Sequence, residues 1–420
     1  MKSEIFQLMP LLLLPLGLLN QSCPAQAASP PRWTLNEILE MADQADPSVL
    51  KASSRILEKS REGTLARSRY FPAVALKSTV FSTQLLLTQK IIDGGATSAA
   101  ADLAAAEEDM AGWERKTELQ KLHLAVIQAY FDALYAVQKT KLLEADGKLI
   151  KNAIDYAEKQ VKFRAIARSV LLKAKVSERK NSSALFEAHS LETTASRTLG
   201  RLTRKSDFPL NSLADSLNTQ NVLKLPELSL EQIVQRAAQR SPSVKFIESN
   251  EVAEAARRKL SFVEDRPQVF FLASYGVGRE NPPKSLYAEY QKGFNYGGFI
   301  TIPLFSGLSD ASKENISNER KFQVHQDLAI SLSALDFETR ELVNQIRQDG
   351  LDVRFLESEI IHSKTIWEEV NREYSGALTT PELWFDALTD LETWKLQQLA
   401  KTRDYYVKHS KLMTVLNETR

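Results

Sequence analysis

The chain carries one pattern twice at a constant offset, and this repeat limits its possible folds more than any other feature. Thr34-Leu35-Asn36-Glu37-Ile38 recurs as Ser229-Leu230-Glu231-Gln232-Ile233, and Pro47-Ser48-Val49 recurs as Pro242-Ser243-Val244. Leu65 matches Leu260 and Pro72 matches Pro267, with no gap. Each copy is far longer than a solenoid unit, so the chain reads as a duplicated half and not as an array. The expected division is a leader over 1–27, a first repeat over 28–203, a linker over 204–228 and a second repeat over 229–420. Pro209 and Pro226 punctuate the polar linker.

The first residues have the form of an export signal. Lys2 precedes an apolar stretch from Ile5 to Leu19 that is too short to span a bilayer, and Ala25-Gln26-Ala27 fits small-x-small cleavage. Cys23, the one cysteine, lies inside this leader; it is a candidate lipid-anchor position, although Asn20 stands where an aliphatic residue is usual. Cleavage after Ala27 leaves a mature chain without thiol chemistry. No later stretch reaches the ~18 apolar residues of a spanning helix. Such an exported chain is expected to be periplasmic, secreted or an outer-membrane barrel protein.

Within each copy the predicted order is helix, short strand region, very long helix, break and shorter helix. Thr34 with Glu37 forms a capping-box signature at the first helix, which is predicted to run to about Tyr70, before Pro72. Copy two repeats this from Ser229 to about Asp265. After Pro267 the period becomes two. Val269, Phe271, Ala273, Tyr275 and Val277 alternate, and after a polar loop (279–292) Phe294, Tyr296, Gly298, Ile300 and Ile302 alternate again. This predicts a hairpin over 268–303 with strands near the ~9–11 residues that cross a bilayer when tilted, and with aromatics near its turn as in an interfacial girdle. Alternation alone leaves a half-buried hairpin of a soluble sheet equally open. The first copy leaves only 73–92 for a hairpin, and Leu85-Leu86-Leu87 obscures its alternation, so two strands require both to be short and the turn minimal.

From about Ala96 to Phe163 and from about Ser309 to Tyr374 there is no proline. Helices of that length reach roughly 100 Å and must bury their apolar faces lengthwise. The first has two stripes: Leu119, Leu122, Val126, Ala129, Ala133 and Ala136, then Leu124, Ile127, Phe131 and Leu134. Two seams on one helix suit a ring or tube better than a two-stranded coil. Breaks are expected at Ile166–Ser169 and Ser375–Pro381, each followed by a returning helix of about thirty residues.

Known chemistry is not visible. With a net charge of +1 and interspersed signs, the chain has no basic face for nucleic acid. The five histidines (His123, His189, His325, His362, His409) lack metal-ligand spacing. No phosphate loop or nucleophile elbow is present, and Tyr275-Gly276-Val277-Gly278 sits on a predicted strand and not in a dinucleotide turn. The chain reads as a non-enzyme without cofactors or bound metal.

Several segments in order resemble the TolC-like outer-membrane efflux protein family, over about residues 33 to 417. The starts at Leu35–Pro47 and Leu230–Pro242 are similar to its helical opening. Gln89-Lys90-Ile91-Ile92-Asp93-Gly94-Gly95 resembles its strand end, with Lys90 in place of proline, and Ile302-Pro303-Leu304-Phe305-Ser306-Gly307 resembles it better. Val126-Ile127-Gln128-Ala129-Tyr130-Phe131 is similar to a segment of its long helix, and Glu373–Gly376 with Leu383–Ala387 to its tip. The resemblance implies a mainly α fold with a β-barrel portion: a homotrimer in which four strands per chain build a twelve-stranded outer-membrane barrel, above a periplasmic tunnel of long antiparallel helices. It implies a passive conduit of a tripartite efflux or type I secretion system, partnered by a periplasmic adaptor, an inner-membrane pump and outer-membrane lipid. The adaptor-binding tips fall on Ile166, Ala167, Arg168 and Ser169, and on Gly376, Ala377, Leu378 and Thr379. Asp386 matches an acid that can ring the periplasmic mouth. Ile166 stands where glycine is usual, the aspartate before Leu171 is absent, and the second tip's glycine is one position early. These departures and the short first hairpin keep open an alternative, a periplasmic coiled-coil scaffold descended from such a channel.

Overall fold

A computed structural model describes residues 32–78, 82–164, 166–219, 222, 229–278, 293–305, 307, 309–376 and 378–416. The leader with Cys23, the loop 279–292 and Ala377 lie outside the described residues. Helices α1 (Leu35–Ala45) and α2 (Pro47–Ser68) lead to strands β1 (Ala73–Ser78) and β2 (Ser82–Asp93). Helix α3 (Ala96–Lys162) and helix α4 (Arg168–Thr203) follow. The order then recurs as α5 (Leu230–Arg240), α6 (Pro242–Ser261), β3 (Gln268–Gly278), β4 (Gly293–Thr301), α7 (Ser309–Ser375) and α8 (Pro381–Val415). The long helices α3 and α7 have 67 residues each. No described helix is long and apolar enough to cross a membrane.

Local chemistry explains the boundaries. Both expected capping boxes form: Thr34 with Glu37, and Ser229 with Gln232. The single opening helix expected in each copy is instead two. Asp46 ends α1 and caps α2 through its side chain, which accepts from the N–H groups of Ser48 (2.8 Å) and Val49 (3.3 Å). Pro47 follows at the first helical position, where its missing N–H costs nothing. Ser241 and Pro242 break the second copy at the equivalent place, with the first-turn proline but without a side-chain cap bond from Ser241.

The four strands form one antiparallel sheet in the order β1-β2-β3-β4. The first hairpin departs from expectation. Only β1 is short, at 6 residues, whereas β2 has 12 and pairs along the length of β3. At the sheet's base, Gly94 (φ +66°) and Gly95 (φ +89°) turn β2 into α3. Asp93 closes the turn by accepting from Gly95 N–H (3.0 Å) and Thr97 N–H (2.7 Å), which satisfies two donors at the start of α3.

Helix α3 is the spine. Its two stripes are buried on different faces, with Val126, Ala133 and Ala136 on one and Ile127, Phe131 and Leu134 on the other. All of these but Ala136 share a core with Ile38 and Ala42 of α1, Leu199 of α4 and Phe208. The stretch after α4 wraps across this core. Trp33 N–H donates to Ser212 O (2.7 Å), Ala214 N–H donates to Trp33 O (3.0 Å), and the fully buried Tyr130 donates its hydroxyl to Asp215 (2.6 Å). On the other side, α7 and α8 are tied by the buried Asp349, which accepts from Lys408 (2.6 Å) and lies 3.6 Å from Lys401.

Candidate functional site: the helical tip and the two-faced sheet

Both long helices turn back at the same end, and the two turns pack together. Ile150, Ala153 and Ile154 of α3, Ala174 of α4, Val370 and Tyr374 of α7, and Trp384, Phe385 and Leu388 of α8 form one buried cluster. The Tyr374 ring stands edge-on to Tyr156 (5.2 Å) and tilts against Trp384 (5.8 Å). Trp384 donates its indole N–H to Asn371 (2.8 Å). Burial raises the Tyr374 phenol to about 12, with the neighbouring Tyr156 adding to it. The tip is therefore an ordered aromatic knot and not two loose loops.

The first turn is tighter than expected. Its break spans 163–167, because α4 begins at Arg168. Arg168 and Ser169 are thus exposed first-turn helical residues and not loop residues. Arg164, two residues before Ile166, takes the left-handed conformation (φ +58°) that is costly for a residue with a Cβ. Ile166 is half-buried and Ala167 exposed, while Phe163 beside them is 84% exposed. In the second turn α7 ends at Ser375, and Leu378 N–H returns to Glu373 O (2.8 Å) past Gly376. Thr380 caps α8 and Pro381 starts it. Leu378 is 83% exposed and Thr379 half-buried. Each turn thus presents one bare apolar side chain at the end of the molecule.

Asp386 lies on the exposed side of α8, close to the tip. Lys173 of α4 forms an ion pair with Glu382 one turn earlier. The Glu382 hydrogen bond and charge, with the charge of Asp386, hold the Lys173 ammonium above its ordinary range. This pair joins the two tips, and sequence reasoning missed it because nothing local links positions so far apart.

The opposite end is the sheet. Its register places Val74, Leu76, Leu85, Leu87, Val269, Phe271, Ala273, Tyr275, Phe294, Tyr296 and Ile300 on one face. Tyr275 (55% exposed) pairs with Phe294 (67%) near the turn side, so the expected apolar face and aromatics are bare to the outside. The other face is mixed: Gln84, Thr88, Ser274 and Asn295 alternate there with Leu86, Phe270, Leu272 and Phe299, and Gln84 and Ser274 are shielded. A bare apolar face outward, with the strands' polar side chains gathered on the other face, fits a barrel wall in lipid.

No family model matches the chain. Over 304 residues it is 24% identical to protein CyaE of Bordetella pertussis, and it spans 63% of the length of that relative. Solved structures match far more completely. A membrane protein from Pseudomonas aeruginosa superposes with a TM-score of 0.77 at 13% identity, covering 92% of this chain and 91% of that one. The outer membrane protein VceC from Vibrio cholerae gives 0.73 at 14%, covering 91% and 95%. The MtrE outer membrane channel of Neisseria gonorrhoeae, in its open state, gives 0.73 at 15%, covering 92% and 89%.

The fold is that of the TolC-like outer-membrane channels.

In this TolC-like frame the strands, the paired 67-residue helices and the returning helices all lie where the resemblance implies. A residue pair inside the helical body was not anticipated. Asp146 of α3 is 3% exposed and its Oδ2 has no hydrogen-bond partner. Burial raises its carboxyl above the ordinary range, against the pull of Lys395. Glu392 of α8 is raised by burial and then by the charge of Asp146, with a hydrogen bond from Asn181 opposing.

Proposed function

We propose that this chain is one protomer of a trimeric outer-membrane export channel, with its helices forming a tunnel in the periplasm. The observation that carries this reading is the sheet: four strands, an apolar outer face and two open edges at β1 and β4. Open edges carry unpaired backbone groups that cannot remain so in lipid, and closure removes them. Three copies of a four-stranded sheet close a twelve-stranded barrel in which β4 of one copy meets β1 of the next. The rise of β3 supports this, because its 11 residues at ~3.3 Å each and a tilt near 40° span about 28 Å, close to the hydrocarbon thickness.

The helices support the same assembly. Phe322, Ile330, Phe337, Phe355 and Ile361 of α7 are all at least 59% exposed. Leu57 and Leu65 of α2 and Phe186 of α4 are 66% or more exposed. A soluble monomer has no reason to leave such stripes bare along a helix of roughly 100 Å. Neighbouring copies in a ring cover them.

At the far end, the exposed Phe163 and Leu378 flank a rigid aromatic knot. We assign this end to a periplasmic adaptor that links the channel to an inner-membrane pump, through Ile166, Ala167, Arg168, Ser169, Gly376, Ala377, Leu378 and Thr379. Three copies of Asp386 then ring the mouth and attract cations. Transport is passive, and the energy comes from the partner. Deleting residues 376–380 tests this: export of a toxic compound is lost while trimers persist. Export that survives the deletion overturns the tip assignment.

One observation favours the scaffold reading. The 6 residues of β1 rise only about 15 Å, which is short of a full barrel wall. That reading requires a protein that leaves the cell envelope without detergent.

A further inference from the structure

We infer that the barrel lumen carries two rings of positive charge, one of Lys77 near the turn end of the first hairpin and one of Lys90 about 20 Å further along β2 toward its base, that together favour anionic cargo. The inference rests on the channel reading above. Among the described strand residues the only ionisable acid or base groups besides the tyrosines are Lys77, Lys90 and Asp93. The register fixes the side of each lysine. Lys77 pairs with Gln84, and Gln84 with Gly276, all on the face opposite the bare apolar one. Lys90 pairs with Phe270 on that same inner face, just before the irregularity that ends the β2–β3 register. Its Nζ lies 5.1 Å from the centre of the Phe270 ring, which stacks on Phe299 (4.7 Å, 10°).

Asp93 does not neutralise them. One of its oxygens accepts from Gly95 N–H, and the other from Thr97 N–H and hydroxyl, so its charge is committed to the start of α3. Each protomer thus contributes two inward ammonium groups and no free inward carboxylate among the described strand residues. The Phe270–Phe299 shelf beneath Lys90 is apolar and carries no compensating charge.

The dimensions make this effective. Twelve strands spaced ~4.8 Å apart and tilted ~40° enclose a backbone radius of about 12 Å. A lysine reaches ~6 Å inward, so its charge sits ~6 Å from the axis, within the ~8 Å Debye length of physiological salt. A permeating ion cannot pass outside the field of either ring. At about 1 M salt the Debye length is ~3 Å and the field no longer fills the lumen.

The test is the reversal potential of the purified trimer in planar bilayers under a KCl gradient. It compares the native protein with the double variant K77Q/K90Q, each confirmed as a trimer by its mobility in detergent. The mouth and tunnel are common to both, so the difference reports the barrel. The result expected is a fall of about twofold or more in the chloride-to-potassium permeability ratio of the variant at ~0.1 M KCl, shrinking toward no difference at ~1 M. An unchanged ratio in a conducting variant overturns this inference and leaves the channel standing. A native trimer that conducts nothing overturns the channel reading and this inference with it.

Discussion

Asp146 should weaken the helical body at neutral pH, and replacing it should strengthen that body. Its carboxyl is 3% exposed, one oxygen has no partner, and its pKa is raised by burial. Asn181 of α4 is held nearby by donating to Leu143 O (3.2 Å). Gly147 makes room for it, since a Cβ there would stand 2.9 Å from the Asn181 side-chain oxygen. Glu392 is raised too, in part by Asp146 itself. Both acids are therefore easier to hold protonated in the folded state than in the unfolded one. Their favourable contribution is complete below the ordinary carboxylate range and is lost as pH rises through the raised values. An unsatisfied buried polar atom costs about 1–3 kcal/mol, more when charged. Asp146→Asn keeps the shape, removes the charge and supplies an amide donor toward Glu392. It should therefore stabilise the protein by ~1–2 kcal/mol at about pH 8, a rise of a few degrees in Tm, with little gain at about pH 4. Thermal unfolding in detergent followed by circular dichroism at 222 nm, with native protein and variant at both pH values, measures this directly. A variant less stable than the native protein at the higher pH, or a gain larger at the lower pH, would refute the reasoning.

Further outcomes follow from the same geometry. Gly94→Ala forces a side chain into φ +66° and brings its Cβ to 2.9 Å from Arg266 Cβ, so it should lower the yield of assembled protein, at a cost of ~1–3 kcal/mol, read by detergent gel mobility. Tyr130→Phe removes the 2.6 Å hydrogen bond to Asp215 and should destabilise by ~1–2 kcal/mol in thermal unfolding, while retaining the fold. Trp384→Ala empties the centre of the tip knot and should cost ~3–5 kcal/mol locally, seen as faster amide exchange around 367–388 with the strands still protected.

Much of the fold was legible because its signals are local or periodic. The capping boxes at Thr34 and Ser229, the outward alternation of Val269 to Val277, and the double seam of α3 each rest on spacing within one element. The break at Asp46-Pro47 has local signals too, a cap and a first-turn proline, but the helical pattern continues on both sides of it and hides the division into two helices. The length of β2 was hidden by Leu85-Leu86-Leu87, where Leu86 faces inward and its neighbours outward, so hydropathy alone shows no period. Contacts between the halves were not legible at all. Lys173–Glu382 and Asp146–Glu392 join residues far apart in sequence on different helices, and neither position differs locally from a solvated helical charge. For the tip, the turning points were readable from Gly376 and Pro381, but not the knot of Tyr374, Trp384 and Phe385 behind them.

The central claim is that three copies of this chain close one barrel in the outer membrane. Its most direct test is the protein-only mass of the species that mild detergent extracts from outer membranes. A mass three times that of the processed chain is the predicted result, with no monomer at the dilution of the measurement. A monomer or dimer recovered from the soluble fraction without detergent would contradict the account.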